Sequence, residues 1–160
     1  MVPCAPAAAA RYIEGRLDDL EARIPADMLG RELAGFFGDE HPHFPHYVYT
    51  EAIEEIYRER QDETLARALP ALFHDLGAAT ERYRTAYYDA AVEASERIYW
   101  RPVFEWCQQR GLEYGNDQAK RREVTGQIDK YYDYVKTMRW YSAPGQDDPE
   151  DGPLGNRNYH

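Results

Sequence analysis

Along the first stretch of the chain, apolar positions recur with the period of a helix. Ile13, Leu17, Leu20 and Ile24 fall at i, i+4, i+7 and i+11, while Glu14, Arg16, Asp18, Asp19 and Glu21 take the other face. That spacing predicts a helix from about Ala7 to Ile24, ended by Pro25 because proline cannot donate to the helical ladder. Leu33-Ala34-Gly35-Phe36-Phe37-Gly38 is a short apolar run set between glycines. It has the pattern of a strand buried on both faces, as in a parallel sheet. The strand runs directly into Asp39-Glu40, and the prolines of His41-Pro42-His43-Phe44-Pro45-His46 make the next segment a loop.

Helical spacing then resumes. Thr50 is placed to cap a helix to about Arg60 with Ile53, Ile56 and Tyr57 facing inward, and Asp62 to Phe73 reads as a shorter helix interrupted at Pro70. A long helix is expected from about Ala78 to Trp100, with Tyr83, Tyr87, Ala91, Ala94 and Ile98 on one stripe. Pro102 should kink it or start a new helix, and Gly111 should stop it. Leu112-Glu113-Tyr114-Gly115-Asn116 reads as a second short strand. Gln118 to Lys130 is polar and fits either a broken helix or a loop, and Tyr131 to Tyr141 fits either helix or strand. Ser142 to His160 lacks apolar periodicity and reads as an acidic Pro/Gly loop or tail. Strands separated by helices imply parallel pairing, so the expected fold is a helix-rich α/β arrangement with two or three parallel strands. Residues 1–143 form the expected folded unit and 144–160 its tail.

Composition narrows the function classes. With 160 residues the chain suits one domain but not a whole (β/α)8 barrel, which takes about 250. Its 19 basic against 29 acidic side chains, net charge −10, argue against nucleic acid as a partner. No apolar run approaches the ~20 residues of a membrane span, so no membrane partner is expected. The first residues lack the charged and leucine-rich pattern of a signal peptide, which makes the cytoplasm the default expectation. Two cysteines, Cys4 and Cys107, cannot build a disulfide framework. Fourteen Tyr and three Trp are many for so polar a chain, and they suit helix packing, interfaces or carbohydrate clefts.

The chemistry-bearing residues gather at predicted strand ends. In parallel α/β folds ligands bind beyond the carboxyl ends of strands, where Asp39 and Glu40 leave the first strand and Asn116 and Asp117 leave the second. A partly desolvated carboxyl there can act as a general acid, and an amide beside a carboxylate can pair with sugar hydroxyls. The bland alternatives are a capping Asp39, a solvated Glu40 and an Asx-turn at Asn116. Pro144-Gly145-Gln146-Asp147 closes a third strand in the same way. His41, His43 and His46 raise zinc, against which stands the absence of a nearby cysteine to complete the set. Asp147, Asp148, Glu150 and Asp151 offer oxygen ligands without the spacing of a calcium loop. No cofactor is evident, and calcium stays open.

Several motifs in order resemble one family. Gly35-Phe36-Phe37-Gly38-Asp39-Glu40-His41-Pro42 resembles the Gly-Phe-Phe-x-Asp-Glu-Pro segment of the α-L-rhamnosidase-like glycoside hydrolases. Leu69-Pro70-Ala71-Leu72-Phe73, Arg82 to Tyr88, Glu105-Trp106-Cys107 through Gly111-Leu112, and Pro144-Gly145-Gln146-Asp147 follow in the family's order. The chain departs from the pattern at His41, and it matches poorly after Tyr114. The resemblance implies a partial segment of a (β/α)8 TIM barrel that cleaves glycosidic bonds with two carboxylic acids. Glu40 would be the general acid, Asp39 its support, and Asn116, Asp117 and Asp147 the lining of the sugar site. The second carboxylate of the reaction would lie beyond His160, so this chain alone would be an incomplete fragment. The competing expectation is a non-enzymatic helical interaction module whose tyrosine stripes dock a partner. Either way, uncovered apolar faces would favour self-association.

Overall fold

The structure, a computed structural model, describes residues 3–38, 47–116 and 132–143. Helix α1 (Ala8–Tyr12) passes through a π-helical turn (Ile13–Leu17) into α2 (Asp18–Glu21). A π turn takes in an extra residue, so the helix beyond it is rotated by about 100° from an unbroken one. Leu17 is therefore buried while Leu20, expected in the core, is exposed. The outer face of α2 docks through polar groups instead. Trp106 Nε1 donates to Asp18 at 3.0 Å, and Arg110 grips Glu21 with two bonds of 2.8 and 2.9 Å while its guanidinium lies 3.8 Å above the Trp106 ring.

After a 3-10 turn (Ala26–Met28) comes strand β1 (Gly35–Gly38). Helix α3 (Glu51–Gln61) starts as its sequence requires: Thr50 Oγ1 accepts the Ile53 N–H, and Ile53, Ile56 and Tyr57 are buried. A 3-10 turn (Leu65–Arg67) leads into α4 (Leu69–Phe73). Pro70 lies in the first turn of α4, where its missing N–H costs nothing, so it opens a helix rather than interrupting one.

Helix α5 (Ala79–Ser95), a second π turn (Glu96–Trp100) and α6 (Arg101–Gln108) form one unbroken rod, roughly 45 Å long at 1.5 Å per residue. A new α-helical stretch begins with Pro102 in its first turn, as one of the two expectations has it, and the backbone stays helical across the join. The proline has no N–H for the carbonyl a turn earlier and its ring crowds that carbonyl; the wider π turn immediately before it relieves the conflict. Tyr87, Ala91 and Ala94 of the expected stripe are buried and Tyr83 and Ile98 partly so. Gly111, at φ +66°, ends the rod and turns the chain into β2 (Glu113–Asn116).

β1 and β2 pair in parallel, Gly35 opposite Glu113 through to Gly38 opposite Asn116. The fold is thus helix-rich α/β around a two-stranded parallel sheet, with the helices forming the connection between the strands. Paired residues share a face. Phe36 and Tyr114 face the helices, where Phe36 meets Trp106, whereas Phe37 is 63 % exposed. The expectation of a first strand buried on both faces is corrected: Phe37, on the face of β1 away from the helices, is left open. Tyr131 to Tyr141 resolves in favour of helix, α7 (Tyr134–Met138), with Asp133 accepting the Lys136 N–H as its cap. The expectations for 117–131 and 144–160 lie outside the described residues.

Aromatic side chains join these layers. Trp100 is fully buried and meets Tyr99 at 4.9 Å and Tyr141 at 6.0 Å, ring centre to ring centre, and Tyr141 in turn meets Tyr114 of β2 at 5.5 Å. Trp100→Ala should cost about 3–5 kcal/mol, read from urea unfolding midpoints. Burial also sets an alkaline limit. It pushes the Cys4 and Cys107 thiols from 9.0 up to about 11, and the Tyr57 and Tyr87 hydroxyls from 10.0 up to about 12. Each is neutral when protonated, so the folded chain holds the proton more tightly than the unfolded chain. Their contribution is complete below the unfolded value and is lost as pH rises through the folded one. Unfolding free energy is expected to fall between about pH 9 and pH 12, the thiols acting first, and midpoints measured across that range check it.

Candidate functional site

The carboxyl end of the sheet is built by close backbone approach. A Cβ added at Gly38 would lie 2.6 Å from Asn116 Oδ1, and one at Gly115 would collide with the Ala143 carbonyl. Glycine at these two positions lets a carboxamide lie over β1 and a third chain segment lie against β2. That segment is Ser142-Ala143. Both of its backbone N–H groups donate to the Tyr114 carbonyl, at 2.9 and 3.1 Å, and Ser142 Oγ accepts the Tyr114 N–H at 2.9 Å. β2 is therefore flanked on one edge by β1 and on the other by residues 142–143.

Asn116 is the sequence-predicted site residue that lies among the described residues, and it is placed as expected, as the last residue of β2. Its side chain is fully buried, and among the described residues neither Oδ1 nor Nδ2 has a hydrogen-bond partner. A buried carboxamide without partners forfeits hydration on two donors and an acceptor, a cost of about 1–3 kcal/mol or more.

Asp39, Glu40, Asp117 and Asp147 lie outside the described residues, as do His41, His43 and His46. Their relation to the sheet is fixed here only by chain connectivity. Asp39-Glu40 follow Gly38, Asp117 follows Asn116, and Asp147 comes four residues after Ala143. Among the described residues no group of three or more His, Cys, Asp or Glu is arranged to hold a metal ion. Cys107 is fully buried and its thiol is pushed up to about 11 by burial, which disqualifies it as a nucleophile at neutral pH. Burial likewise holds the Tyr114 hydroxyl well above its ordinary value, so it stays protonated beneath the strand end.

Sequence reasoning missed the polar group that holds the third segment. Glu96, 7 % exposed, accepts from Trp140 Nε1 at 2.9 Å and pairs with Arg139 Nε at 2.8 Å. Lys136 reaches Asp89 at 3.1 Å, and Glu93 pairs with Arg60 and Arg97 beside them. A cavity of about 360 Å³ lies among these charges, between the long rod and α7. Nothing in linear spacing separates Glu96 from the other acids of its helix. The Trp140-Tyr141 pair just before Ser142 was the available signal that this region packs.

Comparisons with protein families, with curated protein sequences and with solved structures find no match for this chain.

The unpartnered carboxamide makes a direct prediction. Asn116→Leu keeps the branched outline of the side chain and removes the unmet polar atoms, so it should raise the unfolding free energy by about 1–2 kcal/mol. Urea denaturation checks this; a loss of stability would mean that water or protein groups satisfy the amide.

Proposed function

We propose that this chain is part of the catalytic domain of an α-L-rhamnosidase-like glycoside hydrolase, a segment of a (β/α)8 barrel acting on a carbohydrate substrate. The observation that carries the reading is Asn116. A buried carboxamide, unpartnered among the described residues, ends a parallel strand, in register with a glycine that the sequence follows with Asp39-Glu40. Such a group has donors and an acceptor to offer, the complement of adjacent sugar hydroxyls. The carboxyl end of parallel strands is where α/β folds bind ligands, and the ordered motifs shared with the family add to this.

On this reading Glu40 gives its proton to the glycosidic oxygen as the bond from that oxygen to the anomeric carbon breaks. A second carboxylate either activates water, at about 6.5–9.5 Å from the first, or attacks the sugar, at about 5 Å. Asp39 supports Glu40; Asn116, Asp117 and Asp147 hold sugar hydroxyls.

A different reading, a non-enzymatic interaction module, draws on Tyr49 and Phe73, which are 61 % and 64 % exposed, and on Phe37. It predicts partner capture without turnover.

The test is hydrolysis of aryl rhamnosides and related aryl glycosides by the protein expressed from its complete reading frame. Glu40→Gln is expected to lower kcat by about 10²–10⁴, and Asn116→Ala to lower kcat/KM with folding intact. Full activity in Glu40→Gln would remove the assigned acid, and no hydrolysis by the unaltered protein would favour the interaction module.

A further inference from the structure

The sheet's third segment has few bonds of its own to β2. Ser142 and Ala143 are exposed and are held there by three hydrogen bonds, all to Tyr114. The chain leading into them is anchored far more firmly, by Lys136 on Asp89 and, nearest to them, by the buried carboxylate of Glu96. Glu96 opens the π turn of the long rod, is almost wholly removed from solvent, and takes donors from two consecutive residues, Arg139 and Trp140, at 2.8 and 2.9 Å. Trp140 also packs against Phe104 of the rod at 6.0 Å. Tyr141, next in the chain, inserts between Trp100 and Tyr114, and residues 142 and 143 come directly after it.

We infer that Glu96 is a positioning residue: it clamps Arg139 and Trp140 to the rod and thereby sets residues 142–143 on the edge of β2 at Tyr114 and Gly115. Two features separate this clamp from the ion pairs around it. The Arg97–Glu93 and Arg101–Glu105 pairs join residues on one helix, and Lys136–Asp89, which also reaches the rod, is exposed on both sides, the kinds of contact that contribute little. Glu96 instead bridges elements remote in sequence from a buried position, where a charge-assisted hydrogen bond is strong and loss of one partner leaves the other unpaired. The clamp's bearing on catalysis rests on the proposed glycosidase reading, since residues 142–143 lie against the strand that ends in Asn116; the clamp itself does not.

Amide hydrogen exchange on the full chain tests it. In Glu96→Ala, exchange at the Ser142 and Ala143 amides should rise about tenfold or more, while amides within α3 stay protected. Glu96→Gln keeps an oxygen for the Trp140 N–H and gives up the ion pair, so its increase should be smaller. Trp140→Phe keeps a ring against Phe104 and removes the donor; it should raise exchange at the same two amides. Unchanged exchange at Ser142 and Ala143 in Glu96→Ala and Trp140→Phe would overturn the clamp. If α3 also loses protection in Glu96→Ala, the Glu96→Gln and Trp140→Phe pair decides, a local rise supporting the clamp and no rise overturning it. Where the unaltered protein hydrolyses glycosides, the clamp variants should lower kcat/KM alongside the exchange change. If it hydrolyses none, the exchange result still decides the clamp, and the catalytic reading falls alone.

Discussion

The wholly buried Trp100 side chain is the constraint on which the remaining architecture depends. Its ring meets Tyr99 beside it on the rod and Tyr141 from the last described segment, and Tyr141 passes the contact on to Tyr114 in β2. Helix, sheet and third segment are thus joined by edge-to-face rings, an arrangement that adds directional preference to burial. Tyr99 extends the series to Tyr12 of the first helix. A chain so rich in charge secures its core with a few large rings, and where those rings sit dictates where the short strands can lie.

Much of the polar detail follows from one local conflict. Proline at position 102 is incompatible with an ordinary turn before it, and the chain resolves this by widening the turn rather than ending the helix. The widened turn contains Glu96, Tyr99 and Trp100, so the residues that join the rod to the sheet and to the third segment are those displaced by the proline. Several other ion pairs join two exposed side chains and contribute little. Arg110 with Glu21 is different, since it is bidentate, partly buried and stacked on an indole, which gives it a fixed geometry.

Elements whose cause is local were legible in the sequence. Thr50 caps α3 because a hydroxyl before a periodic run has a free N–H to accept, and Gly111 ends the rod because its left-handed backbone suits glycine. The Tyr87, Ala91, Ala94 stripe is buried as its period requires. Outcomes decided by tertiary context were not legible. A π turn inserts one residue without any composition signature, which is why Leu20 is exposed where regular spacing puts it inside. The placement of Phe37 depends on what lies over the sheet, and α7 on charges donated by the rod. At the candidate site, Asn116 at a strand end could be read from the chain. Its register against Gly38 and the approach of Ala143 to Gly115 could not, because these segments meet only in the folded molecule.

The rod's inner side carries Ala86, Ala90, Ala91 and Ala94, with Ser95 returning its hydroxyl to the Ala91 and Val92 carbonyls. Such a row sets the spacing between axes by the absence of side-chain bulk, and interiors packed this densely do not absorb extra methylenes. Divergent copies of this chain can therefore change those alanines only in concert with a shrinking neighbour on the opposing helix. Compensated pairs, rather than single replacements, are the route by which this part of the molecule can drift.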